Sequence, residues 1–267
     1  MKTAVSTFDS GLDIQPADMV TGFTYGDGHF GPTVEHRKLD AIRPSLRKPD
    51  CEGPEIVYSI AMDVGKNHHL PLLKEMHLLY GAVTYAAGQL GEEPIRSQGH
   101  IHKKSAYANG WSTPEVYEIW QGEAVIYMQE TAKDQPGRCF AVHAKAGEVV
   151  IVPPSWAHAT ISADPSTPLT FGAWCDRDYG FDYEDVRAHH GLSYFPLVDA
   201  ENKGLKWVAN PHYEPSNLII KKSPRNYTEF GIDPSKSIYQ QFEEQPDRFE
   251  FVPRPDLYAE KWVNFEP

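Results

Sequence analysis

Short apolar runs separated by polar turns repeat through the middle of the chain. β-Branched and aromatic residues are dense in most of these runs, and Gly, Pro and Asp clusters lie between them. Runs of this length and composition are typical of β-strands. The pattern predicts an all-β domain whose strands cover residues 78–87, 95–102, 116–129, 139–143, 148–152, 159–162 and 169–174.

The two ends of the chain lack this pattern. Residues 1–32 are rich in Gly, Asp and Thr without a period, so we interpret them as an extended arm that wraps the domain or pairs with a partner subunit. At the other end, 211–267 is rich in proline and carries scattered aromatic residues. One short helix is predicted at 232–244, with Asp233 as its cap and Pro234 at its first position. We interpret the rest of that segment as an extension packed on the domain.

Composition indicates a globular protein of a reducing compartment. Of 267 residues, 40% are hydrophobic and 12% aromatic, which is enough to form a substantial core. Three cysteines, Cys51, Cys139 and Cys175, are odd in number and irregularly spaced, which argues against a disulfide framework. We find no leader-peptide pattern at the start and no apolar run of membrane-spanning length. These features predict a cytoplasmic location.

The net charge of -12 opposes binding to nucleic acids or anionic membranes, because both require a basic patch. It leaves room for a small phosphorylated substrate, since phosphate capture is local and can use amides, a hydroxyl and one or two cations. Arg96, Lys103, Lys104 and Arg177 are the cations close to the candidate chemistry, although most such residues are solvated surface charges.

Three histidines and one carboxylate form the strongest chemical signal. His100 and His102 lie two residues apart in a predicted strand, so both side chains point to one face. Glu115 begins the next apolar run, and His158 follows another. Three imidazoles and a carboxylate suit a divalent transition metal with open positions for substrate or water. We therefore predict a metal site made of these four residues.

Strand parity selects Glu115 over the neighbouring carboxylates. Glu115 and Tyr117 share one face of the predicted strand, and Glu118 lies on the other. Glu118 therefore points away from the metal if Glu115 points towards it. Glu123 follows the turn at Gly122, and we expect it to face solvent.

The remaining histidines are interpreted as structural or surface residues. His68 and His69 are adjacent, and adjacent side chains on a strand point to opposite faces, so they are not expected to join one site. His77 and the pair at 189–190 receive the same interpretation.

The spacing of the candidate ligands resembles the two signature motifs of cupins, which are small jelly-roll barrels with a metal at the mouth. Six residues separate Glu115 from Gly122, and ten separate Gly147 from His158. The chain departs from the pattern at Ser155, at Ser162 and in a longer segment before Glu115. That segment, 103–114, is polar and contains glycine, so it is interpreted as a lengthened hairpin loop.

Four stretches resemble a narrower group, the cupin-type phosphoglucose isomerases. They are Ser97-Gln-Gly99-His100-Ile-His102, Pro114-Glu115-Val-Tyr117 with Gln121-Gly122, Val152-Pro-Pro-Ser-Trp156-Ala-His158-Ala-Thr160 and Gly180-Phe-Asp182-Tyr183. The resemblance runs from about residue 33, through Arg37-Lys-Leu39 and Pro54-Glu-Ile-Val-Tyr58, to about residue 210, and so implies a cupin domain at 33–210. Trp174 and Phe181 depart from the group, which has Tyr and His there.

The resemblance implies an enzyme that interconverts glucose 6-phosphate and fructose 6-phosphate on a homodimeric jelly roll. It implies a divalent metal, most often Fe²⁺, with Mn²⁺, Ni²⁺ or Zn²⁺ as alternatives. The residues carried over are metal ligands His100, His102, Glu115 and His158, sugar-proximal Tyr117 and Tyr183, and phosphate-binding Thr84, Ser97 and Gly99.

Two chemical routes remain open at such a site. A side chain can carry a proton through an enediol, or a hydride can pass between carbons while the cation polarises a carbonyl. Glu115 is placed as a base, yet a ligating carboxylate has its basicity lowered by the metal. Tyr117 lies on the same strand face and can shuttle a proton between oxygens. We list Glu115, Tyr117 and Tyr183 as the candidate catalytic residues.

Two other kinds of cupin share this ligand set. An iron-dependent dioxygenase uses the same donors to activate oxygen, and a non-catalytic sugar-binding cupin fills its pocket or saturates its metal. A phosphate pocket beside the metal and turnover without oxygen would distinguish the isomerase from both.

Overall fold

The computed structural model describes residues 8–201, 204–215 and 218–267. Residues 1–7 of the predicted arm and 216–217 of the predicted extension lie outside the described residues. The strands found within the described ranges are β1 (Ile14–Pro16), β2 (Phe23–Tyr25), β3 (His29–Phe30), β4 (Glu35–Lys38), β5 (Ile56–Met62), β6 (Gly65–Lys66), β7 (Leu78–Tyr85), β8 (Gln89–Leu90), β9 (Glu93–Pro94), β10 (Ile101–His102), β11 (Glu115–Gln121), β12 (Glu123–Gln129), β13 (Cys139–Lys145), β14 (Val149–Val152), β15 (Ala157–Ser162), β16 (Leu169–Asp176), β17 (Phe181–Asp182), β18 (Tyr194–Asp199), β19 (Gly204–Ala209) and β20 (Ile220–Lys222).

The helices are short. The α-helices of the described residues are α1 (Leu39–Ile42), α2 (Leu70–Glu75), α3 (Glu184–Ala188), α4 (Ile238–Glu244) and α5 (Ala259–Trp262), and 3₁₀ helices cover Arg43–Ser45, Asn67–His69, Thr228–Phe230, Pro246–Phe249 and Pro255–Tyr258. None of the helices found in these ranges has the length and apolar character needed to cross a bilayer.

Two sheets face each other and enclose the barrel. One has the strand order β14-β11-β16-β7-β5-β4, and the other has the order β15-β12-β13-β20. Side chains from both inner faces form one buried cluster, which includes Ile126, Phe140, Val150 and Phe171. Sheets that pack face to face with alternating inward side chains form a jelly-roll barrel. The predicted all-β cupin jelly roll is confirmed.

The outer faces of both sheets are also buried. The six-stranded sheet packs its outer face on residues from both ends of the chain, among them Leu12, Phe23 and Phe242. The four-stranded sheet is covered by the hairpin β18–β19 and by α3. Burial on both faces explains why the strands are nearly continuous apolar runs, because neither face needs to be polar.

Aromatic packing joins the C-terminal segment to the barrel. The Trp174 ring lies parallel to that of Tyr239, with centroids 5.6 Å apart, and also contacts Phe242 and Phe249. Each such ring buried from water contributes about 1.5–3 kcal/mol. The limits 1–32, 33–210 and 211–267 for arm, cupin domain and extension remain a prediction.

Several predicted strands differ in detail. Residues 116–129 form two strands because Gly122 makes a turn with φ of +77°, where an added Cβ would lie 2.7 Å from a backbone oxygen. Segment 95–102 pairs only at single bridges before β10. Segment 103–114 is not a hairpin loop as predicted, because β10 pairs with β17 whereas β11 pairs with β14 and β16.

The C-terminal segment begins its helix later than predicted. Asp233 is not the cap; α4 is capped by Ser237, which forms a capping box with Gln240. The sequence Ser-x-x-Gln carries this signal directly. Strand β20, which pairs in parallel with β13, was not predicted.

Candidate metal centre and substrate pocket

The four candidate ligands meet at one end of the barrel. His100 and His158 exchange backbone hydrogen bonds of 3.0 and 2.9 Å, which holds the irregular segment before β10 against β15. His102 follows on β10, and Glu115 is the first residue of β11. One donor atom from each of these four side chains lies within 4.8 Å of the others.

Backbone carbonyls orient two of the imidazoles. His102 Nδ1 lies 3.0 Å from the Thr113 oxygen, and His158 Nδ1 lies 3.0 Å from the Trp156 oxygen. A carbonyl only accepts, so Nδ1 carries a proton in both rings, and Nε2 is the nitrogen that each ring turns towards the cluster. Such outer contacts set the tautomer and direction of metal-binding histidines.

The Glu115 carboxylate contacts four neighbouring side chains. Its Oε2 accepts a 2.7 Å hydrogen bond from the Tyr117 hydroxyl and lies 3.1 Å from His102 Nε2 and 3.3 Å from His158 Nε2. Its Oε1 accepts from the Cys175 thiol at 3.4 Å. Burial acts to raise the pKa of Glu115, but the contacts with the two histidines outweigh it and hold that pKa well below its ordinary value. The carboxylate is therefore ionised.

The donor set fits a divalent metal. His100 Nε2 and His102 Nε2 are buried and have no hydrogen-bonding partner, the latter lying near Glu115 but outside hydrogen-bonding geometry. Burial, followed by the two neighbouring imidazoles, also holds the pKa of His100 well below its ordinary value, so the ring is neutral. Buried polar atoms rarely remain unpaired, and neutral imidazoles with a carboxylate are ligands that divalent transition metals prefer.

A narrow pocket of about 70 Å³ adjoins the cluster. It is lined by Arg37, Tyr58, Ile60, Met62, Val83, Tyr85, Ser97, Gln98, His100, Glu115, Tyr117, Thr160, Phe171, Phe181 and Tyr183. A larger groove of about 870 Å³ lies between the outer face of the four-stranded sheet and the hairpin β18–β19. We place the chemistry in the smaller pocket because His100 and Glu115 line it.

Both tyrosines predicted to lie near a sugar line this pocket. Tyr117 contacts the cluster through Glu115, and burial followed by the Glu115 charge raises its pKa well above the ordinary value. The Tyr183 ring centroid is 6.0 Å from that of His100, and the Arg187 guanidinium lies 4.9 Å from the Tyr183 centroid. Phe181 packs on His100 with ring centroids 4.4 Å apart.

Of the three predicted phosphate-binding residues, only Ser97 lines the pocket. Thr84 lies on the opposite face of β7, where its hydroxyl bonds that of Thr170 at 3.0 Å, so the structure does not bring it to this pocket. Gly99 has φ of +90°, and an added Cβ would lie 2.9 Å from Leu192, which explains the glycine by backbone and packing. Ser97 itself accepts a hydrogen bond from the Thr160 amide at 3.1 Å.

The cations chosen from the sequence do not line the pocket. Arg96 pairs with Glu93 at 2.6 Å, Arg177 pairs with Asp63 at 2.8 Å, and Lys103 and Lys104 are exposed.

The cation that does line the pocket is Arg37, on the edge strand β4. Sequence reasoning named Arg37 only as part of the resemblance. Its place in the pocket follows from the strand register, which sets it directly opposite Tyr58 on β5.

Glu118 lies on the face of β11 opposite Glu115 and points away from the metal-ligand cluster, as strand parity predicted. Glu118 accepts a 2.7 Å hydrogen bond from the Ile238 amide at the start of α4. Burial raises the pKa of Glu118 to about 8, although hydrogen bonds from Ile238 and Trp120 act to lower it. Trp174, one of the departures from the resembled group, also faces away from the pocket and donates to the Ile238 oxygen at 3.3 Å.

The prediction that His68 and His69 point to opposite faces of a strand was wrong. These residues form a 3₁₀ helix rather than a strand, and their donors lie within 4.8 Å of each other and of Glu243. Other partners already occupy this cluster, since Glu243 pairs with Lys66 at 2.5 Å and His69 Nδ1 lies 3.1 Å from the Tyr239 hydroxyl.

A family model described as glucose-6-phosphate isomerase (GPI) matches residues 47–215, which is more than half of the chain. The matched stretch includes all four metal-ligand candidates.

Archaeal relatives agree with the family model. Glucose-6-phosphate isomerases from Pyrococcus abyssi and Pyrococcus furiosus are each 31% identical over 141 residues, covering 53% of this chain and 67% of the relative. The Thermococcus onnurineus enzyme is 30% identical over the same shares. A solved oxalate oxidase aligns over 47% of this chain and 54% of its own, with 12% identity and a TM-score of 0.35, a likeness too low to support any inference.

Proposed function

This chain belongs to the glucose-6-phosphate isomerase family, and on that premise we propose that its reaction, the interconversion of glucose 6-phosphate and fructose 6-phosphate, takes place at the cluster of His100, His102, Glu115 and His158. The observation that supports this location is the convergence of three imidazoles and one ionised carboxylate beside a pocket that also holds Arg37. We propose Fe²⁺ as the bound ion, with Mn²⁺, Ni²⁺ and Zn²⁺ as alternatives.

His100, His102, Glu115 and His158 would hold a divalent cation, which would supply positive charge to offset the negative charge that develops on the sugar oxygens. The side chains of this chain then have separate tasks. Glu115 is a ligand rather than a strong base, because its pKa lies well below the ordinary value. Because its pKa is raised, Tyr117 is protonated and can shuttle a proton between the two sugar oxygens, giving its own to one and taking one from the other. Either a hydride shift or an enediol route is compatible with these tasks.

Substrate entry requires movement at the pocket mouth. A volume of about 70 Å³ holds only a few water molecules, less than a hexose phosphate needs. Phe181 and Tyr183 lie on a short connection whose strand β17 pairs with β10 over two residues, with one further hydrogen bond from the Lys103 amide to the Gly180 oxygen. We propose that this connection moves outward to admit the sugar, and that Tyr183 then packs on it.

We also propose a homodimer located in the cytoplasm. The described part of the arm packs on the outer face of the six-stranded sheet of its own chain. This leaves the edge strand β4 as a surface that a second copy can cover. The free state of Cys51, Cys139 and Cys175 supports a reducing compartment.

The decisive experiment combines metal analysis with an anaerobic coupled assay on fructose 6-phosphate. We expect isomerisation without oxygen, its loss after chelation and its return with Fe²⁺. Oxygen uptake without isomerisation would instead indicate a dioxygenase. Bound metal without turnover of either kind would indicate a binding cupin. His158→Ala is the test variant, and Glu118→Gln on the opposite strand face is the control.

A further inference from the structure

We propose that Arg37 binds the phosphate group of the sugar and sets the preference of this pocket for phosphorylated substrates. The proposal rests on the proposed function of the site. It replaces Thr84, which the structure turns to the other face of the sheet.

Arg37 is held in place by its neighbours in the sheet. In the β4–β5 register it lies opposite Tyr58, and cross-strand neighbours on one face of a sheet contact each other directly. Tyr58 is itself fixed by stacking on Tyr85, with ring centroids 4.8 Å apart. The guanidinium thus leans on a rigid aromatic wall of the pocket rather than moving freely in solvent.

The guanidinium of Arg37 is charged and lacks a counterion. Its Nε is buried without a hydrogen-bonding partner, and within the described ranges no carboxylate lies within 4.0 Å of its nitrogens. Burial disfavours the charge, but Tyr58, Tyr183 and Glu35 outweigh this and raise the pKa of Arg37. A partly buried guanidinium that contacts the Tyr58 hydroxyl but no carboxylate can donate charge-assisted hydrogen bonds to a phosphate.

The other arginines near the pocket are already engaged. Arg96 binds Glu93 and the Ser45 oxygen, and Arg177 binds both carboxylate oxygens of Asp63. Arg187 donates to Gln98 at 3.0 Å and covers the outer side of Tyr183.

Arg37 also faces the metal cluster. Arg37, His100 and Glu115 all line the same pocket. A sugar phosphate can therefore place its two reacting oxygens at the cluster and its phosphate at Arg37. This divides the substrate between a metal end and an anion end of one pocket.

The test uses the metal-loaded protein and the variants Arg37→Gln and Arg37→Lys, with Lys38→Gln as a matched control. Lys38 is the next residue of β4, is exposed and pairs with Glu55, so its loss removes the same charge from the same strand. Circular dichroism and metal content establish that each variant is folded and loaded. Three quantities are measured: KM and kcat for fructose 6-phosphate, and the Kd of inorganic phosphate by titration calorimetry.

For Arg37→Gln we expect KM to rise roughly tenfold or more, with unchanged metal content and a phosphate Kd weakened to a similar degree. Arg37→Lys keeps the positive charge but loses the two parallel donors of the guanidinium, so its KM and phosphate Kd should lie between those of the wild type and Arg37→Gln. If Arg37→Gln does not fold, the Lys variant serves as the test. Unchanged KM and Kd in a folded Arg37 variant would overturn the proposal while leaving the isomerase intact. If the wild type fails to isomerise, the proposed function fails, and the phosphate Kd still decides whether Arg37 is an anion site.

Discussion

Glu118 offers a direct test of how the barrel and its C-terminal segment are joined. Its side chain is 1% exposed and accepts a hydrogen bond from the first amide of α4. Burial raises its pKa from the ordinary 4.5 to about 8. Glu118→Gln keeps the side-chain shape and an oxygen that can accept the Ile238 hydrogen bond, but it removes the titrating carboxyl.

The direction in which stability changes with pH follows from the protons bound by the folded and unfolded states. Below pH 4.5 the carboxyl is neutral in both the folded and unfolded states, so its contribution to stability is fully present. As the pH rises towards 8 the unfolded chain loses this proton while the folded protein keeps it, and stability falls. The difference of about 3.5 pH units corresponds to at most roughly 5 kcal/mol of unfolding free energy at 1.36 kcal/mol per unit.

Urea unfolding of wild type and Glu118→Gln between pH 5 and pH 8.5 measures this effect. Both proteins share every other titrating group, so the difference between their unfolding free energies isolates Glu118. Between pH 5 and pH 8.5 we expect the unfolding free energy of Glu118→Gln to rise, relative to that of the wild type, by several kcal/mol. Relative to Glu118→Gln, which also lacks the titration, Glu118→Ala should lose about 1–3 kcal/mol at every pH, because the Ile238 amide is left buried and unpaired.

A difference between wild type and Glu118→Gln that stays constant with pH would refute the reasoning. Metal content provides a second check. Because Glu118 lies on the strand face opposite Glu115, the Gln variant should bind as much metal as the wild type.

Four further predictions concern the pocket and the assembly. His100→Ala should lose metal and turnover together while the apolar barrel stays folded, as checked by elemental analysis and circular dichroism; full metal occupancy would remove the ligand assignment. Ser97→Ala should lose about 1–3 kcal/mol of stability, because the buried Thr160 amide loses its acceptor, and should weaken substrate binding by roughly tenfold without altering metal content. Thr84→Ala should leave KM for fructose 6-phosphate unchanged, since its hydroxyl faces Thr170; a raised KM would return it to the phosphate site. Sedimentation at micromolar concentration should show a dimer, and a monomer would contradict the proposed assembly.

Local pattern was sufficient to predict much of the candidate site. Strand side chains alternate with a period of two, so the sequence alone separated Glu115 from Glu118 and placed His100 beside His102. The spacing between the ligands and the glycines Gly122 and Gly147 carried the resemblance to cupins. The capping box at Ser237 was equally local and was overlooked in favour of Asp233.

Other errors arose where the sequence pattern was ambiguous. Strand β7 is buried on both faces, so no polar alternation revealed which way Thr84 points. His68 and His69 were assigned opposite faces because a strand was assumed, whereas the chain forms a 3₁₀ helix there.

The sequence by itself determined the all-β class, the four candidate ligands and the parity of β11, because each depends on neighbours a few residues apart. Only the tertiary structure decided which side chains from distant strands line the pocket. Arg37 and Ser97 are far apart in the chain and meet there because β4, β5 and the segment before β10 converge on one cavity. The pKa values of Glu115 and Glu118 diverge for the same reason: one carboxylate is packed among histidines, and the other is buried against the start of a helix.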